Sequence, residues 1–168
     1  MKDEQKSQLT KIIGDYDAKL TEAERLDAAK RAADAAFPER FATFRTKTIR
    51  PALQEIADML NERGHDASVR DQEESSSAGG GVKSAAVSLR LVPRPFAHKR
   101  PETNPVAVEV MFSANRAERK VTVSSTNTMT SHGGNVGKRG EYEIDALTSD
   151  VVASHVIQTL SDALARPV

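Results

Sequence analysis

Two stretches hold the side chains best suited to chemistry. Residues 93–105, PRPFAHKRPETNP, carry Arg94, His98, Lys99 and Arg100, and residues 127–139, NTMTSHGGNVGKR, carry His132, Lys138 and Arg139. Glu102 is the only acid in either stretch. Guanidinium groups grip phosphate oxygens through paired hydrogen bonds, and the amides of a Gly-rich turn can point at the same oxygens. The expectation is an anion site, taking nucleic acid or a smaller phosphate-containing ligand. From Lys83 to Arg139 the chain has ten Lys or Arg against three acids, while the whole chain has 24 of each sign. The basic character is therefore local. Against this stands the ordinary solvation of surface lysine and arginine, which needs no ligand.

Other chemistries find less support. The stretch GGNVGKR lacks the first glycine of a phosphate-binding loop, since His132 stands there, and Arg139 replaces the hydroxyl that would hold magnesium. His65, His98, His132 and His155 show no short metal-ligand spacing, and the chain has no cysteine. His65 follows a helix stop, where positive charge suits the dipole. His155 falls on the apolar side of the last helix and reads as a core or interface histidine. No G-x-S-x-G elbow is present. Glu73 and Glu74 adjoin a flexible segment and read as solvated acids. No catalytic residue, cofactor or metal is assigned, and the balance leans away from an enzyme.

These loops need a scaffold. The first 64 residues read as helices. Leu9, Ile12, Ile13, Tyr16 and Leu20 follow helical spacing, and residues 22–36 contain seven alanines, a flat face suited to another helix. Thr21 to Glu24 fits a capping box, so a second helix starts there or the first continues. Pro38 suits a helix first turn. Phe41, Phe44, Thr48, Ala52, Ile56 and Leu60, with Leu53 and Ala57 beside them, form a wide stripe that Pro51 kinks or breaks. Gly64 is a stop.

Alternation then replaces helical spacing. Ala67, Val69 and Asp71 give a weak strand, and residues 73–81, EESSSAGGG, a flexible loop. Ala85 to Leu91, Val106 to Phe112, and Val121 with Val123 give clear strands, and Tyr142 with Ile144 a short last one. Leu147 to Ala163 returns to helical spacing, with Thr148 or Ser149 as cap. The fold class expected is α+β: N-terminal helices, an antiparallel meander of four or five strands, and a C-terminal helix on one sheet face. In a meander the connections at 93–105 and 127–139 leave from the same end. The other sheet face reads Ser84, Ala86, Ser88, Arg90, Glu109, Met111, Lys120, Thr122 and Ser124, polar and small. The length suits one domain, 1–168, in three parts: helical 1–64, sheet 65–145, and helix 146–166.

An apolar fraction of 38% is lean, and no stretch approaches a membrane span. The functional expectation is a cytoplasmic, non-catalytic protein-binding or adaptor module, with a homodimer through the N-terminal helices as its simplest form. Nucleic-acid or small-anion binding through the basic loops is the alternative. A small-molecule sensor or enzyme using the same loops, with a metabolite or nucleotide as the anion, is a third reading.

Overall fold

A computed structural model describes residues 3–76, 80–94, 107–128 and 135–165. The chain divides into two units, Met1–Phe37 and Pro38–Val168. Helix α1, Asp3–Phe44, supplies all of the described part of the first unit and enters the second. It does not restart at Thr21, whose hydroxyl donates to the Asp17 carbonyl at 2.9 Å instead of capping a new helix. Pro38 lies inside the helix, not in a first turn as the sequence suggests. The sequence here is rich in alanine, the best helix former, which carries the helix past a residue with no amide to give.

In the second unit, α1 passes into a π-helical turn, Arg45–Ile49, and then α2, Arg50–Glu62. The Arg50 amide reaches back five residues to the Arg45 carbonyl, and Pro51 sits in the first turn of α2. The break expected at Pro51 therefore takes the form of a widened turn just ahead of it. The burial pattern supplies a reason. Phe41, Arg45, Ile49, Leu53 and Ala57 are all buried, one every four residues. Each four-residue step overshoots a regular helical turn by roughly 40°, so the row would wind off the sheet. The extra residue in the π turn takes back part of that rotation. The neighbouring row, Phe44, Thr48, Ala52, Ile56 and Leu60, is only half-buried.

Helix α2 ends in a Schellman motif. The Gly64 amide donates to Asn61 at 2.9 Å and the His65 amide to Leu60 at 3.2 Å. Gly64 has φ of +82°, a conformation that costs any other residue. An added Cβ would meet the Arg94 side chain no closer than 3.6 Å, so space is not the obstacle. Gly64→Ala is expected to lower unfolding free energy by about 1 kcal/mol through backbone strain alone. Urea titration checks this; a loss several times larger would point to a steric cause.

The main sheet is a meander in the order β1, β4, β5, β6, β7, with every neighbour antiparallel. The strands are β1 (Asp66–Gln72), β4 (Ala86–Val92), β5 (Val108–Asn115), β6 (Lys120–Asn127) and β7 (Asn135–Glu143). Between β1 and β4, two-residue strands β2 (Ser75–Ser76) and β3 (Val82–Lys83) pair across the segment expected to be a loop. A 3-10 turn, Ile144–Ala146, leads to helix α3, Ser149–Leu164. Thr148 caps α3 by accepting from the Val151 amide at 3.3 Å. Strand alternation puts Val87, Leu89, Leu91, Val108, Val110, Phe112, Val121 and Val123 on one buried face. Helices α2 and α3 cover it. The opposite face carries Arg70, Ser88, Met111, Ser124 and Lys138 in one cross-strand row. This is the polar, small-residue face that the alternation predicts. The fold is α+β.

Candidate functional site

The register fixes which strand ends coincide. Leu91 stands opposite Val108, Val108 opposite Asn127, and Asn127 opposite Asn135. The connections after β4 and β6 thus leave from one end of the sheet. Asp66 pairs with Val92, so the Gly64–His65 turn enters at that end too. Of the seven basic residues singled out from the sequence, His98, Lys99, Arg100 and His132 lie outside the described residues.

Arg94 is exposed at this end. Its amide donates to Nδ1 of His65 at 3.1 Å. The His65 Nδ1 is therefore the acceptor that ties the start of β1 to the chain leaving β4.

Lys138 and Arg139 are not in a loop. Strand β7 starts at Asn135, so the connection expected over 127–139 is shorter and both residues belong to the strand. A bulge between the pairs Val123–Gly140 and Ser124–Lys138 leaves Arg139 as the extra residue. The two cations serve opposite sheet faces, as neighbours along a strand do. On the open face, Lys138 Nζ lies 2.8 Å from Glu141 Oε1, which also accepts from Asn115 and Thr122 at 3.3 Å. The Lys138 hydrogen bond is the chief reason the Glu141 carboxyl sits below its ordinary pKa, with the other two donors adding to it.

On the helix-covered face, Arg139 spans from sheet to helix. Its Nε donates to Ser125 Oγ at 2.8 Å and its Nη1 to Asp162 Oδ2 on α3 at 2.9 Å. Nearby, Tyr142 Oη lies 2.7 Å from His155 Nε2, with the rings edge to face at 5.4 Å. Gly140 makes room for this ring, since an added Cβ there would stand 2.8 Å from Tyr142 Cε2. Burial first, and the Arg139 charge second, hold the His155 pKa below its ordinary value. The folded protein therefore binds that proton less readily than the unfolded chain. Stability from this site is complete above the unfolded value of about 6.5 and falls as the pH drops below it. Melting temperatures between pH 7.5 and 5.5 check this: His155→Gln is expected to flatten the decline, and an unchanged slope would exclude His155 as its source.

Glu73 and Glu74 are exposed, as expected of solvated acids, and each also meets an arginine. Glu73 pairs with Arg45, and Glu74 accepts from Arg116 at 2.6 Å. Arg45 escaped the sequence reading altogether. It is only 8% exposed and clamps the ends of two strands, donating Nη1 to the carbonyls of Gln72 (3.0 Å) and Ala86 (3.4 Å). Its Nε lies 3.9 Å from Asp71, which also pairs with Arg50. The one sequence signal for Arg45 is the four-residue recurrence from Phe41 to Ala57, which runs through it.

Among the described residues no group of three or more His, Asp or Glu could hold a metal ion, and no helix is long and apolar enough to cross a membrane. The most conspicuous unsatisfied surface lies elsewhere. Along α1 within the first unit, Leu9, Ile12, Ile13, Tyr16, Leu20 and Leu26 are each 46–65% exposed. No protein-family model matches the chain, and no curated protein or solved structure is found to be similar to it.

Proposed function

We propose that this protein is a non-catalytic protein-binding module whose docking element is the 3–37 stretch of α1. The observation carrying this is the exposed row of large apolar side chains from Leu9 to Leu26 on a helix that contributes none of them to a core. Apolar rows of this size on one helix face are costly in water and mark contact surfaces. The second unit already has its sheet covered by α2 and α3, so it serves as a folded body carrying the docking helix. A cytoplasmic setting belongs to the same reading and fits a chain without cysteine. The phosphate-binding alternative draws less support, because Lys138 and Arg139 are each engaged with a carboxylate.

Amide hydrogen exchange over Leu9–Leu26 in the full chain tests the proposal. Protection that rises with protein concentration, or on adding cell extract, is expected. Exchange at the rate of an isolated helix under all conditions would overturn it.

A further inference from the structure

The spacing of the exposed row says more than that something covers it. Leu9, Ile13, Tyr16 and Leu20 of that row, with the exposed Ala23 beyond them, are separated by four, three, four and three residues, and Ile12 and Leu26 flank this line. That is the alternation of core positions in a coiled coil. We propose that the partner of this stripe is the same stripe of a second copy of the chain, parallel and in register from Leu9 to Ala23. This rests on the reading of α1 as the docking element, and names its occupant.

Two observations select that arrangement. The first is overlap. A parallel pair stacks each of the five core positions on itself. Antiparallel pairing must oppose the two kinds of core position, which leaves four of the five matched. One such register sets Leu9 against Leu20 and Ile13 against Tyr16; the other sets Ile13 against Ala23 and Tyr16 against Leu20.

The second observation is charge. Lys19 precedes the core residue Leu20, and Glu24 follows the core residue Ala23. Five residues separate them, the spacing at which flanking residues meet across a parallel pair. Lys19 of each copy then faces Glu24 of the other. Neither antiparallel register offers an opposite-charge pair at these positions. One brings Asp17 onto Asp17 and Lys19 onto Lys19, and the other faces them with Thr10 and Ile12.

The seam is bounded. The next core position after Ala23 is Asp27, which is ion-paired with Arg31 of its own helix at 3.0 Å. Two heptads make a short interface, so reversible association at about 1–100 µM is expected rather than a permanent dimer.

Sedimentation velocity over a concentration series, combined with single-cysteine variants, tests the proposal. The absence of native cysteine makes each introduced thiol unambiguous. Leu9→Cys is expected to form a disulfide with its own copy under mild oxidation. In an antiparallel pair the two thiols would lie at least roughly 16 Å apart, beyond disulfide reach. Lys19→Glu is expected to weaken association about tenfold, by turning two attractions into repulsions, and Lys19→Glu with Glu24→Lys to restore it.

Dimers that cross-link only when Leu9→Cys is mixed with Leu20→Cys would overturn the parallel register. A monomer at every concentration would overturn self-association. If exchange protection of Leu9–Leu26 then still appears with extract, the docking role stands and the partner is a different protein. A monomer with no protection under any condition removes both.

Discussion

An Arg45→Ala variant is expected to be about 2–4 kcal/mol less stable than the native chain. The side chain is buried and its guanidinium serves the carbonyls of Gln72 and Ala86, where β1 ends and β4 begins. Removing it leaves both carbonyls short of a donor and opens a void between the π turn and the sheet. Most of the cost arises there, because Glu73 is exposed and water can solvate its freed carboxylate. Arg45→Met separates the two contributions: it fills the void without supplying donors, and should recover about half of the loss. Urea unfolding measures both variants. An Arg45→Ala midpoint equal to the native one would show that the clamp contributes nothing to stability.

Replacing Ile13 and Leu20 together with glutamate should weaken self-association by at least about 100-fold, since each copy loses two apolar core residues worth roughly 1.5–3 kcal/mol apiece and gains buried charge. Both residues are about half exposed in the single chain, so the variant removes no contact within its own fold. The melting transition of the Pro38–Val168 unit is therefore expected to stay in place while the sedimentation coefficient falls to that of a monomer at every concentration. A double variant that still dimerises would place the interface away from α1. A variant whose sheet unit melts early would mean that the stripe supports the fold itself.

Strands with one buried face were legible in the sequence because alternation records burial directly. Val108, Val110 and Phe112 in β5, and Val121 and Val123 in β6, stand where the alternation puts them. Strand β7 was legible only at its end, where Tyr142 lies in the strand while Ile144 falls in the 3-10 turn. It is an edge strand whose positions in the buried rows are Gly137, Gly140 and Tyr142, so only its last position carries a large side chain there. Backbone pairing and the Arg139 bridge hold it, and neither leaves a periodic signature. Arg45 was hidden for a related reason: a charged residue in a buried row reads as a boundary of the stripe, not as a member. The open-face row was recovered correctly because small polar residues alternate as cleanly as valines do. The candidate basic residues were picked out by composition, which carries no geometry. The basic count pointed to Lys138 and Arg139, but their place in a strand, and the acids they meet, come from the fold.

The strand order has a kinetic consequence. Every strand of the main sheet pairs with the next one of that sheet in sequence, yet the intervening lengths differ widely. Only residues 116–119 separate β5 from β6, with Arg119 in the left-handed region at φ of +56° and the Asn115 side chain accepting from the Glu118 amide at 3.3 Å. The β4–β5 and β1–β4 pairs each close across a dozen residues or more. Loop-closure entropy rises with length, so the central hairpin is the cheapest long-lived pairing the chain can make on its way to the native state. Conservative truncations at Phe112 and Val121 should therefore slow folding, while Val69 on the β1 edge should chiefly speed unfolding.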